Sequence, residues 1–146
     1  MANRGKEEEE LRKLSVEMRF LEQTAETLQQ RISMVNAAMT DLAYANMALE
    51  GIEQEKENAE LLVPIGGGSY IKVKLASPDK VVVGVGANVS IEKTLPEAKI
   101  IVKERLEELE NTMRSAQQQF AQVAERINAG RSRVESLLAT VREGTA

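Results

Sequence analysis

From Leu11 onward, apolar side chains recur at alternating intervals of four and three residues. They are Leu11, Leu14, Met18, Leu21, Ala25, Leu28, Ile32, Val35, Met39, Leu42, Asn46 and Leu49, and Asn46 alone is polar. Such spacing, held over several heptads without a proline, is the seam of a coiled coil. Gly51, the charged stretch Glu53 to Glu57 and Asn58 predict that this helix stops near residue 57. A second seam runs through Val102, Leu106, Leu109, Met113, Ala116, Phe120, Val123, Ile127, Gly130, Val134, Leu137 and Val141. Thr94 and Glu97 ahead of it have the spacing of a capping box, with Pro96 in the first turn, where it does least harm.

The two seams match when one is reversed. Leu49 meets Val102, Leu42 meets Leu109, Met39 meets Met113, Ile32 meets Phe120, Ala25 meets Ile127 and Leu11 meets Val141, in one register throughout. Sizes complement as well: Ala25 faces Ile127, Ala116 faces Val35 and Gly130 faces Leu21. The pattern predicts an antiparallel two-helix coiled coil. Asn46 opposite Leu106 either fixes the register or is a partly solvated residue near the base of the coil.

Between the helices the period changes from heptad to alternating. Strands are expected near 60–65, 69–75, 80–85 and 89–93. The turns between them are Gly66-Gly67-Gly68, Ser77-Pro78-Asp79 and Gly86-Ala87-Asn88. In the second strand Ile71, Val73 and Leu75 alternate with Tyr70, Lys72 and Lys74. The third, Val81 to Val85, reads as apolar on both faces and so wants cover on both. Four short strands leave sheet edges unpaired, and no loop is long enough to cover them. The expectation is an oligomer joined through Leu62, Val63, Ile65, Ile71, Val73, Leu75, Val81, Val82, Val83, Val85, Val89 and Ile91. The fold class is therefore α+β. Residues 1–57 form the first coiled-coil helix, 58–94 two β-hairpins acting as an assembly domain, and 95–146 the second helix, together one structural unit.

Composition narrows the chemistry. The chain has no His, no Cys and no Trp, which removes the commonest general base and metal ligands and any disulfide. Gly84 and Gly86 make only part of a dinucleotide fingerprint, and Gly66 to Gly68 lack a P-loop lysine; both read as turn glycines. No cofactor, no metal and no enzymatic activity are expected. A net charge of −4 with both signs interspersed does not suggest nucleic-acid binding. Neither a signal peptide nor a membrane span is seen, so a soluble cytoplasmic protein with no membrane partner is expected.

Large apolar residues off the seam mark where the coil meets something else. Near the strands these are Tyr44, Met47, Ile52, Ile100 and Ile101, which the sheet is expected to cover. At the far end Val16 and Phe20 lie one turn apart on the outer face, and Leu138 sits beside the seam. Clustered exposed apolar groups mark an interaction surface. Gly130 costs a helix about 1 kcal/mol relative to Ala. If the coil frays beyond it, Leu11, Leu14, Met18, Leu21, Val134, Leu137 and Val141 join the exposed set. The alternative is a zipped end with Phe20 as a stray surface aromatic.

The segments Glu60-Leu-Leu-Val-Pro-Ile-Gly-Gly-Gly68, Val81-Val-Val-Gly-Val-Gly86 and Ile91-Glu-Lys93, set between two long helices, resemble the alpha subunit of archaeal-type prefoldin. The resemblance covers nearly the whole chain. It implies a hexamer of two alpha and four single-hairpin beta subunits whose strands build paired β-barrels, with six coiled coils hanging from them. It further implies an ATP-independent holdase that grips unfolded clients at the coil tips and passes them to a group II chaperonin. The other reading of the residues is a passive coiled-coil scaffold or tether with one fixed protein partner.

Overall fold

The computed structural model describes residues 2–143 of the chain. Helix α1 spans Ala2–Glu53; strands β1 Glu60–Gly66, β2 Ser69–Lys74, β3 Lys80–Gly86 and β4 Val89–Thr94 follow; helix α2 spans Leu95–Glu143. The strands form two separate antiparallel hairpins, β1 with β2 and β3 with β4. The strand boundaries agree with expectation to within a residue. Helix α1 ends earlier than the expected residue 57. Its last turn closes with bonds from Gln54 N to Gly51 O and from Glu55 N to Ile52 O, three residues back. Asn58 then adopts φ 64° and donates its backbone N–H to Leu75 O at 2.8 Å. The residues just before β1 are thus needed to reverse the chain, which the charge pattern did not reveal. At the start of α2, Glu97 N donates to Thr94 Oγ1 at 3.3 Å, one half of the expected capping box.

The chain divides into two compact units. The first comprises Met1–Asn36 and Asn111–Ala146, the second Ala37–Glu110. In the first, the antiparallel helix segments meet along the expected seam. Met18, Leu21, Leu28, Val35, Ala116 and Leu137 are buried, and the remaining seam positions are half-buried. A two-helix contact shields only a stripe, so full burial is rare.

The second unit is built around Leu49, Val83, Leu95, Ala98 and Val102, with Leu42, Ala45, Ile52, Val81 and Ile101 packed against them. The hairpin β3–β4 lies on the helices here. Val81 and Val83 point inward, and the Arg105 guanidinium donates to Gly84 O at 3.0 Å. Lys99 and Glu53 form an ion pair between the helices.

In the third strand the inner face is covered within the chain and the outer face is open: Val82, 72 % exposed, points outward opposite Glu92, and Gly84 opposite Ser90 follows on that same face. Alternation along an antiparallel pair mixes both strands on each face, so one strand's composition does not set a face's polarity. One expectation needs correcting in this unit: the hairpins do not cover all the apolar residues near them. Ile52 and Ile101 join the core, but Tyr44, Met47 and Ile100 remain exposed.

Candidate functional site

Two surfaces carry the residues singled out in the sequence. The first is the end of the first unit where α1 begins and α2 finishes. Helix α2 crosses Gly130 without a break and continues to Glu143. A Cβ at Gly130 would lie 2.3 Å from Met18 Sδ, so the glycine is a hole that the Met18 thioether fills. The end is zipped in this structure, as the alternative to fraying has it: Gly130 withdraws a side chain so that the opposite helix can insert one. Sequence reasoning counted the helix-propensity cost of the glycine and missed its packing. Its assigned partner, Leu21, was a neighbouring seam position.

A second closure lies one turn further along. Arg133 grips the Glu10 carboxylate with two donors, Nε to Oε1 at 3.0 Å and Nη2 to Oε2 at 3.2 Å. The hydrogen bond and the carboxylate charge raise the Arg133 pKa further above its usual range. Both side chains are exposed to a large degree, so this pair aligns the helices more than it stabilises them.

The ten candidate residues at this end are therefore not equivalent. Met18, Leu21 and Leu137 are buried in the seam, and Leu11, Leu14, Val134 and Val141 are half-buried. Val16 at 69 %, Phe20 at 67 % and Leu138 at 37 % face solvent. By heptad position Val16 and Phe20 lie one turn apart on the outer face of α1, and Leu138 sits beside the seam on α2.

The second surface is the pair of hairpins. Cross-strand pairing puts Leu61 opposite Val73 and Val63 opposite Ile71, with Ile65 and Leu75 extending the same face. The other face of this hairpin carries Leu62, Tyr70, Lys72 and Lys74. Leu62, Val63, Ile65 and Ile71 are all exposed, while Val73 and Leu75 are half-buried. In the second hairpin Val82, Val85, Val89 and Ile91 are exposed, whereas Val81 and Val83 pack within the chain. Of the twelve residues expected to join subunits, Val83 is thus already covered. The eight exposed ones, on both faces of the two hairpins, leave apolar area that a two-stranded hairpin cannot hold in water by itself.

Among the described residues, no group of three or more acidic or other ligating side chains is placed to hold a metal ion. No helix among them is long and apolar enough to cross a membrane.

Known proteins share this arrangement. The family model described as "Prefoldin subunit" matches residues 7–140. The prefoldin subunit alpha of Methanococcoides burtonii is 32 % identical over 120 residues, covering 82 % of this chain and 87 % of its own. That of Methanosarcina mazei is 32 % identical over 141 residues, covering 94 % and 96 %. A chain from the cryo-EM structure of filamentous PFD from Methanocaldococcus jannaschii superposes with a TM-score of 0.65 at 26 % identity, over 76 % of this chain and 92 % of that one.

Proposed function

The chain belongs to the prefoldin family, and from that premise we propose that it is one subunit of an ATP-independent holdase. Residues 58–94 are its assembly domain. The exposed apolar residues of the two hairpins, from Leu62 to Ile91, join beta-type subunits in a complex of two alpha and four beta chains, and hairpins of several subunits close into β-barrels. That closure removes the strand edges which otherwise invite aggregation. The likeness to alpha subunits and to an assembled prefoldin supports this reading.

Clients are held at the terminal end of the coil. The single observation that carries this is the exposure of Val16 and Phe20, one helical turn apart on a surface otherwise lined by charged and polar side chains. Each end offers little apolar area, so affinity comes from several ends engaging one non-native chain. Release requires no bond-making or nucleotide. A group II chaperonin, presenting more surface to the same client, takes it by competition, in the cytoplasm where both act.

The test is aggregation of a chemically denatured protein diluted into buffer without nucleotide, in the presence of the complex assembled with a beta subunit. The intact chain is compared with one carrying Val16→Ser, Phe20→Ser and Leu138→Ser, after light scattering has established equal mass. Suppression by the intact complex with several-fold weaker suppression by the variant supports the assignment. Equal suppression places the client elsewhere. No suppression by either favours a tether, for which a zipped end with a bidentate Glu10–Arg133 pair would be a suitable fixed surface.

A further inference from the structure

The atom of Met18 that fills the Gly130 notch is the sulfur. A Cβ on Gly130 would meet Sδ at 2.3 Å, with Cε at 3.5 Å and Cγ at 3.6 Å. At every other described glycine the same position is open to 4.0 Å. The thioether therefore presents its sulfur to α2. Met18 is only 9 % exposed, yet two open hollows border it. One is lined by Ser15, Arg19, Glu22, Arg131 and Val134, the other by Leu14, Glu17, Leu21, Arg126 and Arg133. Their volumes, ≈ 390 Å³ and ≈ 540 Å³, far exceed the roughly 30 Å³ that a water molecule occupies in the liquid. A molecule as small as hydrogen peroxide has room to reach the side chain. Met34 and Met47 are more exposed, at 74 % and 65 %, but neither fills a glycine notch.

We propose that Met18 is a site of oxidation by peroxides, and that its sulfoxide releases the end of the coil from Gly130 outward. A sulfur lone pair attacks one peroxide oxygen as the O–O bond breaks. The second oxygen takes the proton of the first and leaves as water. Sulfur is oxidised, the peroxide is reduced, and no other reactant is needed. The product is bulkier at the one atom that has no room, and polar where the thioether was apolar. The notch offers its oxygen no donor, because Gly130 lies inside α2, where its N–H serves the helix. Donors lie in the hollows instead: Arg126 and Arg133 line one, Arg19 and Arg131 the other. A sulfoxide that turns to an arginine satisfies its oxygen and empties the notch. Drawn to it, Arg133 also leaves Glu10, so both closures of this end are lost together.

The end is thus zipped only while the sulfur is reduced. Opening brings Leu14, Leu21, Val134 and Leu137 into water beside Val16 and Phe20, and sulfoxide reduction closes it again. That the added apolar surface strengthens client binding rests on the assignment of clients to this end; the oxidation and the opening do not.

The test uses the complex assembled with the beta subunit. It is left untreated, treated with hydrogen peroxide and quenched, or treated and then repaired by sulfoxide reductases of both epimer specificities. A complex whose alpha chain carries Met18→Leu, a substitution that conserves volume and removes the sulfur, receives the same treatments. Peptide mass spectrometry locates the added oxygen, hydrogen exchange follows residues 131–141, and dilution of a denatured protein measures suppression of aggregation. The expected result is oxygen on Met18 with exchange about tenfold faster across residues 131–141 and unchanged across residues 113–120. Aggregation is suppressed more strongly, Met18→Leu shows none of this, and repair restores the starting state. Met18 left unmodified while Met34 and Met47 are oxidised overturns the inference, because the hollows then do not admit peroxide. Oxidised Met18 with unchanged exchange overturns it too, because the notch then accommodates the sulfoxide. Equal acceleration in Met18→Leu assigns the effect to another methionine and likewise overturns it. Faster exchange with unaltered suppression of aggregation upholds the oxidation site and refutes the placement of clients at this end.

Discussion

The substitution Gly130→Ala sets two effects of similar size against each other. In an isolated helix it is stabilising by about 0.8–1 kcal/mol, because glycine has the greater backbone freedom to lose. Here the new methyl would sit 2.3 Å from Met18 Sδ, well inside contact distance. Met18 is flexible and borders a hollow lined by Leu14, Glu17, Leu21, Arg126 and Arg133, so it can swing aside without moving the backbone. What it loses is burial, since it is only 9 % exposed at present. Losing half or more of a methionine's burial costs about 1–2 kcal/mol. The single variant should therefore be near neutral or destabilised by up to about 1 kcal/mol. The decisive quantity is the coupling. In a Met18→Ala background the hole is empty, and Gly130→Ala should stabilise by the full propensity difference of about 1 kcal/mol. Denaturant titration of all four chains, with hydrogen exchange across Val123–Val141, gives the double-mutant cycle. A coupling of about 1–2 kcal/mol is expected. Equal effects of Gly130→Ala in both backgrounds would refute the packing of Met18 into the glycine.

Three other measurements test the second unit and the electrostatics. Val83→Ala should destabilise the chain by about 1–2 kcal/mol in thermal or denaturant unfolding, whereas Val82→Thr, on the outward face, should change it by less than about 0.5 kcal/mol. Ala87 holds φ 51° without being glycine, so Ala87→Gly should stabilise the second hairpin by about 1 kcal/mol; a loss of melting temperature would contradict that backbone conformation. Stability should be nearly flat between about pH 6 and 9, because no histidine or cysteine titrates there. The Glu10 contact raises the Arg133 pKa, so that contribution is complete below the ordinary arginine range and is lost only as pH rises through the still higher folded value; a transition near neutrality would contradict this.

The seam was readable because heptad spacing is a direct projection of helix geometry, and its reversed match fixed the register of the two helices. The hairpins were readable because alternation and turn residues are local signals. Less local features were not. Gly130 carried a visible propensity cost, but the Met18 thioether that fills its space lies on the other helix. Tyr44, Met47 and Ile100 showed that apolar surface exists near the strands, without showing that the hairpins leave them open. The two hairpins are one structure repeated at an interval of twenty residues, Glu60 pairing with Lys74 as Lys80 pairs with Thr94 and each following pair likewise. That repeat was hidden by substitution: Val63 and Val83, Gly66 and Gly86, Ile71 and Ile91, and Leu75 and Leu95 are identical, but the rest of the two segments diverges. Among the candidate client residues, heptad position alone separated Val16, Phe20 and Leu138 from the seam, and burial follows the same division.

The twenty-residue interval has a consequence for how such a chain can change length. Excising residues 60–79 would splice Ala59 directly onto Lys80. The carbonyl of Ala59 would then stand where that of Asp79 now accepts from Leu95, and α2 would begin on its present cap. No turn would need redesign and no heptad would slip, because the cut removes one whole period of the hairpin array. A shorter chain with a single hairpin between the same two helices is therefore already contained in this one, one in-frame deletion away.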